Sequence, residues 1–383
     1  MADRKKQLNI VMLGHKRIPS REGGVEIVVE ELSTRMAAIG HQVTCLNRAG
    51  HHVSGKEFEA QTLKEYKGVR VRRVLTLDRK GLAAMTASVS GAIAAAFGPY
   101  DVVHFHAEGP CAMLWLPRLF GKRCIATIHG LDHRRAKWGR LARTYIMQGE
   151  KCAARFAHEI IVLSGGVQQY FLSTYGRRTV MIPNGVTRPE QRAPQEILER
   201  FGLRKNEYIL FLGRLVPEKG ITYLIDAFQQ LKTDKKLVIA GGSSDTQDYA
   251  AQLKAQAGEN PQIIFTGFVQ GRLLEELYSN AYVYVLPSDL EGMPLSLLEA
   301  MSYGNCCVTS DIEECAAVTE AYGLVFPKGN AEELRKLLQR LCDEPETVLH
   351  YQRRAADYIT GRFSWDDVTD RTLQLYKGQK LSE

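Results

Sequence analysis

The stretch Tyr208-Ile209-Leu210-Phe211-Leu212-Gly213-Arg214-Leu215-Val216-Pro217-Glu218-Lys219-Gly220 decides how the chain is read. Five apolar residues, Tyr208 to Leu212, read as a strand. Gly213 is read as the residue that lets the backbone turn, and Pro217 stands where a helix would begin. Arg214 and Lys219 flank that start. A helix N-terminus offers free amides and a positive dipole, so two cations beside it make a pyrophosphate site. Arg grips phosphate oxygens in a fork, and Lys adds a compact charge. Two solvated surface cations would give the same local pattern, so the wider context has to decide.

Outward from this stretch, short apolar runs alternate with amphipathic ones. Tyr208–Leu212, Lys236–Ala240, Gln262–Phe265, Tyr282–Leu286, Cys306–Thr309 and Leu324–Phe326 read as strands, with helices at Lys219–Leu231, Tyr249–Ala257, Arg272–Asn280, Pro294–Tyr303 and Ala331–Leu341. Upstream the same alternation runs from Leu8–Leu13 to Thr179–Ile182. Its first helix places Val25, Val28, Val29, Leu32 and Met36 at helical spacing. Repeated β-α alternation implies parallel sheets covered by helices. With 383 residues and 45% hydrophobic content the chain suits two domains. The expected division is 1–185, with 362–383 packing back on it, and 186–361. The Ala-rich segment Gly81–Gly98 is expected to be a buried helix. No apolar run reaches the ~20 residues of a membrane span, and Met1–Lys6 lacks the features of a secretory signal, so a cytoplasmic protein is expected.

Eight cysteines form no C-x-x-C pair and have no histidine at zinc-ligand spacing. They are expected to be buried thiols, and no metal site is expected. Charge is divided unevenly: residues 1–185 hold 28 Lys and Arg against 14 Asp and Glu, a net +14, and the remainder carries −7. Arg70, Arg72, Arg73, Arg79 and Lys80 form one basic cluster. Arg134, Arg135, Lys137, Arg140 and Arg143 form another, with Trp138 beside it on an expected helix. Such asymmetry suits an anionic partner, and a basic helix with an aromatic suits an anionic membrane surface. No recognisable nucleic-acid-binding module is present. No G-x-G-x-x-G follows a strand, which argues against a dinucleotide enzyme.

The second informative cluster is Glu291-Gly292-Met293-Pro294-Leu295-Ser296-Leu297-Leu298-Glu299-Ala300-Met301-Ser302-Tyr303-Gly304, after the strand ending at Leu286. A carboxylate accepts hydrogen bonds from paired hydroxyls, as on a sugar or ribose. Glu291 lies before a turn, and Glu299 is expected about two turns into the helix. The amides of Gly292 to Leu295 open that helix as an anion site.

Gly-Arg-Leu-x-Pro-Glu-Lys-Gly followed by two glutamates with seven residues between them resembles glycosyltransferase family 4. The resemblance extends, in order, through Gly14-His15, Gly23-Gly24-Val25-Glu26, Gly40-His41, His129-Gly130-Leu131-Asp132, Ser164, Pro183-Asn184-Gly185-Val186, Gly323-Leu324-Val325 and Phe363-Ser364-Trp365. It implies the α/β GT-B fold: two Rossmann-like doubly wound domains facing a central cleft, with a C-terminal helix crossing back to the N-domain. It further implies a retaining, metal-independent transfer of a sugar from a nucleotide diphosphate, with UDP the expected nucleotide and no cofactor. Arg214 and Lys219 would hold the diphosphate, Glu299 the ribose and Glu291 the sugar. Gly23 and Gly24 would close over the phosphates, and His129 would face the sugar. Gly213, Gly292, Met293, Pro294, Leu295 and Val269 complete the expected donor set, with Val269 near the base. Arg134, Arg135, Trp138 and Arg140 are candidates for a saccharide or lipid-linked acceptor, or for a membrane on the inner face of which the protein would sit. Alternative readings are a UDP-sugar epimerase of the same architecture and a non-catalytic nucleotide-sugar-binding protein.

Overall fold

The computed structural model describes residues 7–49, 63–77, 79, 82–135, 138–242 and 247–381. Met1–Lys6, Lys80, Gly81 and Lys137, named above, lie outside them. The chain divides into two compact units, Met1–Asn184 with Trp365–Glu383, and Gly185–Ser364.

The first unit contains β1 (Asn9–Leu13), α1 (Gly24–Ala38), β2 (Gln42–Arg48), β3 (Glu65–Tyr66), β4 (Val69–Val74), α2 (Leu82–Phe97), β5 (Val102–His106), α3 (Glu108–Cys111), α4 (Trp115–Leu119), β6 (Arg123–Ile128), α5 (Arg140–Phe156), β7 (Glu159–Val162), α6 (Gly165–Tyr175) and β8 (Val180–Met181). Its sheet order is β3-β4-β2-β1-β5-β6-β7-β8, parallel except for the short β3 at the edge. The chain winds outward from β1 to one side, then returns and winds outward from β5 to the other. The point of reversal therefore lies between β1 and β5, where open α/β sheets bind ligands beyond the strand carboxyl ends. Gly14 follows β1 there with φ 106°, and a Cβ on it would lie 2.1 Å from the carbonyl oxygen of His106. Only glycine permits that approach.

The second unit contains α7 (Glu196–Phe201), β9 (Tyr208–Leu212), α8 (Ile221–Gln229), β10 (Lys236–Ala240), α9 (Gln247–Ala257), β11 (Ile263–Gly267), α10 (Gly271–Asn280), β12 (Val283–Leu286), α11 (Leu295–Ser302), β13 (Cys306–Ser310), α12 (Glu313–Thr319), β14 (Leu324–Phe326), α13 (Ala331–Asp343) and α14 (Pro345–Arg362). Its six strands are parallel in the order β11-β10-β9-β12-β13-β14. β9 is central, and Tyr208, Ile209, Leu210 and Phe211 are fully buried, as strands covered on both faces require. Here the reversal lies between β9 and β12, so the two sequence clusters follow adjacent strands on either side of it.

α15 (Trp365–Tyr376) belongs to the first unit. Tyr376 bonds His104 through Nδ1 at 2.6 Å, and Arg123 Nε donates to the Leu375 carbonyl at 2.8 Å. The division falls after Ser364, because Phe363 accepts from Val186 N at 2.8 Å and Arg362 pairs with Glu320.

The Ala-rich segment departs from expectation. In α2 the small residues Ala87, Gly91, Ala92, Ala95 and Ala96 face the core, while Leu82, Met85, Val89, Ile93 and Phe97 are exposed. Small side chains let α2 lie close on the sheet: a Cβ on Gly91 would be 3.2 Å from Leu13 Cδ1. No helix of the described residues is long and apolar enough to cross a membrane. Among the described residues the cysteines are free thiols, and all but the half-buried Cys342 are buried.

Candidate active site

The segment after β9 does not open a helix at Pro217, as the sequence suggested. Pro217–Lys219 form one turn of 3-10 helix, and α8 begins after Gly220. Gly220 rather than Gly213 carries the conformational demand. Its φ is 62°, and a Cβ would lie 2.0 Å from the Pro287 carbonyl oxygen. Gly213 has no such φ, and its nearest Cβ contacts are the Phe211 ring at 3.3 Å and Lys219 Cε at 3.9 Å. The close approach at Gly220 joins the β9 and β12 loops. Asp289 N donates to the Glu218 carbonyl at 2.8 Å across the same junction.

Two predicted site residues meet there. Lys219 Nζ donates to Glu291 Oε1 at 2.5 Å, and Ser288 Oγ donates to the same oxygen at 2.6 Å. Both members of the ion pair are largely buried, with side chains 13% and 9% exposed. Arg214 is half-buried, and its guanidinium has no hydrogen-bond or ion-pair partner among the described residues.

α11 begins after Pro294, with no side chain capping it. The amides of Leu297 and Leu298 turn back to the Pro294 carbonyl, whereas Leu295 and Ser296 lie at the open end. Gly292 and Pro294 are buried and Met293 is half-buried. Glu299 sits just over one turn into the helix, not two. It is half-buried and accepts from Tyr278 OH at 3.3 Å. Burial raises the Tyr278 phenol well above its usual range, aided by the Glu299 charge. Val269 follows β11, the sheet edge two strands from β9, and its side chain is buried. Sequence reasoning missed Glu218, whose two carboxylate oxygens are buried without a hydrogen-bond partner.

In the first unit, Gly23 precedes α1 in extended conformation and Gly24 opens the helix. Glu26 Oε1, from its first turn, accepts from Lys16 N at 2.9 Å and so ties the loop after β1. His129 follows β6, with its Nε2 3.2 Å from His106 Nδ1. Burial lowers His129 to about 4 against the opposing charges of Asp132 and Glu26. The ring is neutral at pH 7 and offers a polar N–H rather than a charge. His106 stacks on it at 5.4 Å between ring centroids, and the His104 ring lies tilted against His106 at 4.1 Å. Burial lowers His104 to about 3 and His106 well below its usual value. Neither was singled out from the sequence. Their signal was the reversal between β1 and β5, which requires the strand order.

The loop after His129 is clamped by two buried carboxylates. Glu108 accepts from Asp132 N at 3.0 and 3.1 Å. Glu150 pairs with His133 Nδ1 at 2.6 Å and accepts from Tyr170 and Tyr175, each at 2.9 Å. Burial and the neighbouring Asp132 and Glu150 raise the Glu108 carboxyl well above its usual range. The ligand atoms of Glu108, His133 and Glu150 lie within 4.8 Å of one another. They are the described residues that can hold a metal ion, and each already has a protein partner.

The basic segment is not the exposed aromatic helix expected. Trp138 is half-buried and precedes α5, which begins at Arg140. Arg135 pairs with Asp132 at 2.8 Å, and Arg134 lies over the Tyr170 ring at 5.4 Å. Arg140 is exposed.

Residues 22–188 match the family profile described as Glycosyltransferase Family 4, and residues 195–358 match Glycosyl transferases group 1. An uncharacterized glycosyltransferase of Methanocaldococcus jannaschii is 25% identical over 97% of this chain and 98% of its own length. The O-antigen chain mannosyltransferase B of Escherichia coli is 30% identical over 49% of this chain and 50% of its own length. The crystal structure of Anabaena HepE with UDP and glucose superposes with a TM-score of 0.82 at 18% identity, covering 97% of this chain and 100% of that one. The two profiles, in this order along two Rossmann-like units, establish that the chain belongs to glycosyltransferase family 4 and has the GT-B fold.

Proposed function

We propose that the protein transfers a sugar from a nucleoside diphosphate, UDP by preference, to a saccharide acceptor carried on a lipid, with retention at the anomeric carbon and without a metal. The observation that carries this reading is Arg214, a half-buried guanidinium without a protein partner among the described residues, on the loop after β9 that also carries Lys219, at the reversal point of the second sheet.

In the reaction the bond between the anomeric carbon and the β-phosphate oxygen breaks, and the acceptor oxygen bonds to that carbon. The acceptor proton passes to the departing phosphate oxygen. Negative charge grows on the diphosphate, and Arg214, Lys219 and the open amides of α11 stabilise it where other enzymes use a divalent ion. Lys219 is held by Glu291, so the incoming diphosphate competes for it and frees Glu291 toward the sugar hydroxyls. Glu299 accepts from the ribose hydroxyls. The acceptor assignment draws on the basic first unit and on the named role of the E. coli relative.

The test is incubation with a panel of nucleotide sugars, reading released nucleoside diphosphate with and without lipid-linked saccharide. Acceptor-dependent release from one donor supports the reading. Interconversion of the sugar without release, or no turnover of any donor, contradicts it.

A further inference from the structure

The exposed side of α2 is a feature of the first unit that the transfer reaction does not use. Leu82, Met85, Val89, Ile93 and Phe97 recur every three or four residues and are all exposed. At about 100° per residue they form a single stripe along the helix. α4 widens it. Phe120 meets Phe97 at 4.6 Å between ring centroids, and Trp115 and Leu119 are exposed beside them, Leu119 by 75%. The strap before α2 adds Leu75, 76% exposed, and Leu77. It is held by Ser90 Oγ donating to the Leu75 carbonyl at 2.7 Å and by Leu77 N donating to Thr86 Oγ1 at 3.0 Å. Contiguous apolar surface on this scale marks an interaction site.

The rim of this patch is basic. Arg70 and Arg72 are exposed and stand four and two residues before the α2-facing Val74 on β4, on the same face of the strand, which puts them on the α2 side of the sheet. Arg72 reaches Tyr100 OH, just beyond the end of α2. Lys122 donates to the Gly98 carbonyl at 2.8 Å, and Arg118 is exposed on α4. Arg79 lies at the start of α2. Neither α2 nor α4 contains an acidic residue.

We propose that the α2–α4 face docks on an anionic phospholipid bilayer, with Leu82, Val89, Ile93, Phe97 and Leu119 entering the headgroup–acyl boundary and the cations contacting the lipid phosphates. The proposal names the surface that meets the membrane and rests on the reading of the acceptor as lipid-linked. Charge complementarity selects a bilayer over a second copy of the chain, because self-association through this face would set two basic rims against each other. Aromatic side chains between the apolar stripe and the cations suit the interfacial region.

The test is flotation of the full chain with phosphatidylglycerol vesicles, compared with phosphatidylcholine vesicles, alongside nucleotide-sugar turnover measured without vesicles. Wild type is expected to float with phosphatidylglycerol, weakly with phosphatidylcholine, and less at high salt. V89E/I93E is expected to lose at least tenfold in binding while turnover stays unchanged. Arg72→Ala is expected to weaken binding roughly fivefold. Leu119→Glu provides a second site should the double variant misfold, and brominated lipid is expected to quench Trp115 fluorescence in the folded wild type. Binding that ignores phosphatidylglycerol, or that survives V89E/I93E and Leu119→Glu, overturns the proposal. So does a wild-type dimer that V89E/I93E converts to monomer. Turnover without vesicle binding would fail the docking face alone, and vesicle binding without turnover would fail the transferase reading alone.

Discussion

Lys219 and Glu291 stand 72 residues apart in sequence yet form a 2.5 Å ion pair where the loops after β9 and β12 meet. The pair is a consequence of topology: β9 and β12 are neighbours although two strands lie between them in the chain. It also has an energetic consequence. With both side chains largely removed from water, deleting one leaves the other charge uncompensated. Lys219→Met is expected to destabilise the protein by about 3 kcal/mol, and K219M/E291Q should recover much of that loss. Chemical denaturation of the single and double variants checks this, and additive losses would contradict it. Turnover of Lys219→Met should fall on the order of 10²–10³-fold.

Gly220→Ala is expected to be severe although alanine is small. The φ of 62° strains any L side chain, and the Cβ would lie 2.0 Å from the Pro287 carbonyl oxygen. The two loops would have to part, at a cost on the order of 2–4 kcal/mol. Gly213→Ala, lacking both constraints, should be milder. Denaturation midpoints of the two variants decide, and equal effects would contradict the assignment.

Much of this arrangement was legible beforehand. The strand set of the second unit follows directly from apolar runs such as Tyr208–Leu212 and Cys306–Thr309, the second of which the strand β13 extends by one residue. Motif order pointed to the family and to Arg214, Lys219, Glu291 and Glu299. Three things were not legible. The 3-10 turn at Pro217–Lys219 depends on Gly220 entering the left-handed region beneath Pro287, a contact that local sequence does not encode. His104 and His106 gain meaning only from the reversal beside β1. The orientation of α2 inverted the usual rule, because its alanines pack inward and its large side chains face out.

Charge stabilisation by Arg214, Lys219 and the α11 amides takes the place of a divalent ion in this account. Full turnover in EDTA is therefore expected. Loss of activity in EDTA with rescue by Mn²⁺ would contradict it.

Acid should destabilise the first unit. Burial holds His15 and His129 at about 4 and His104 at about 3. Their stabilising contribution is complete above the unfolded histidine value near 6.5 and is lost as pH falls toward those folded values. The loss amounts to several kcal/mol by pH 4. Glu108 opposes it: its raised carboxyl contributes stability below the unfolded value of 4.5 and loses it as pH rises. These histidines, with His106 lowered further still, outweigh one carboxyl, so denaturation midpoints should fall from pH 7 to pH 5. A flat profile, or one rising toward pH 5, would contradict this.

The most direct measurement is the affinity of UDP, GDP and ADP for wild type and Arg214→Ala, by calorimetry on the full chain. Because the Arg214 side chain has no partner among the described residues, the variant should keep wild-type stability within about 0.5 kcal/mol. It should nevertheless bind the preferred diphosphate at least tenfold more weakly. Equal affinity in the two proteins, or no diphosphate binding by wild type, would contradict the assignment of this site.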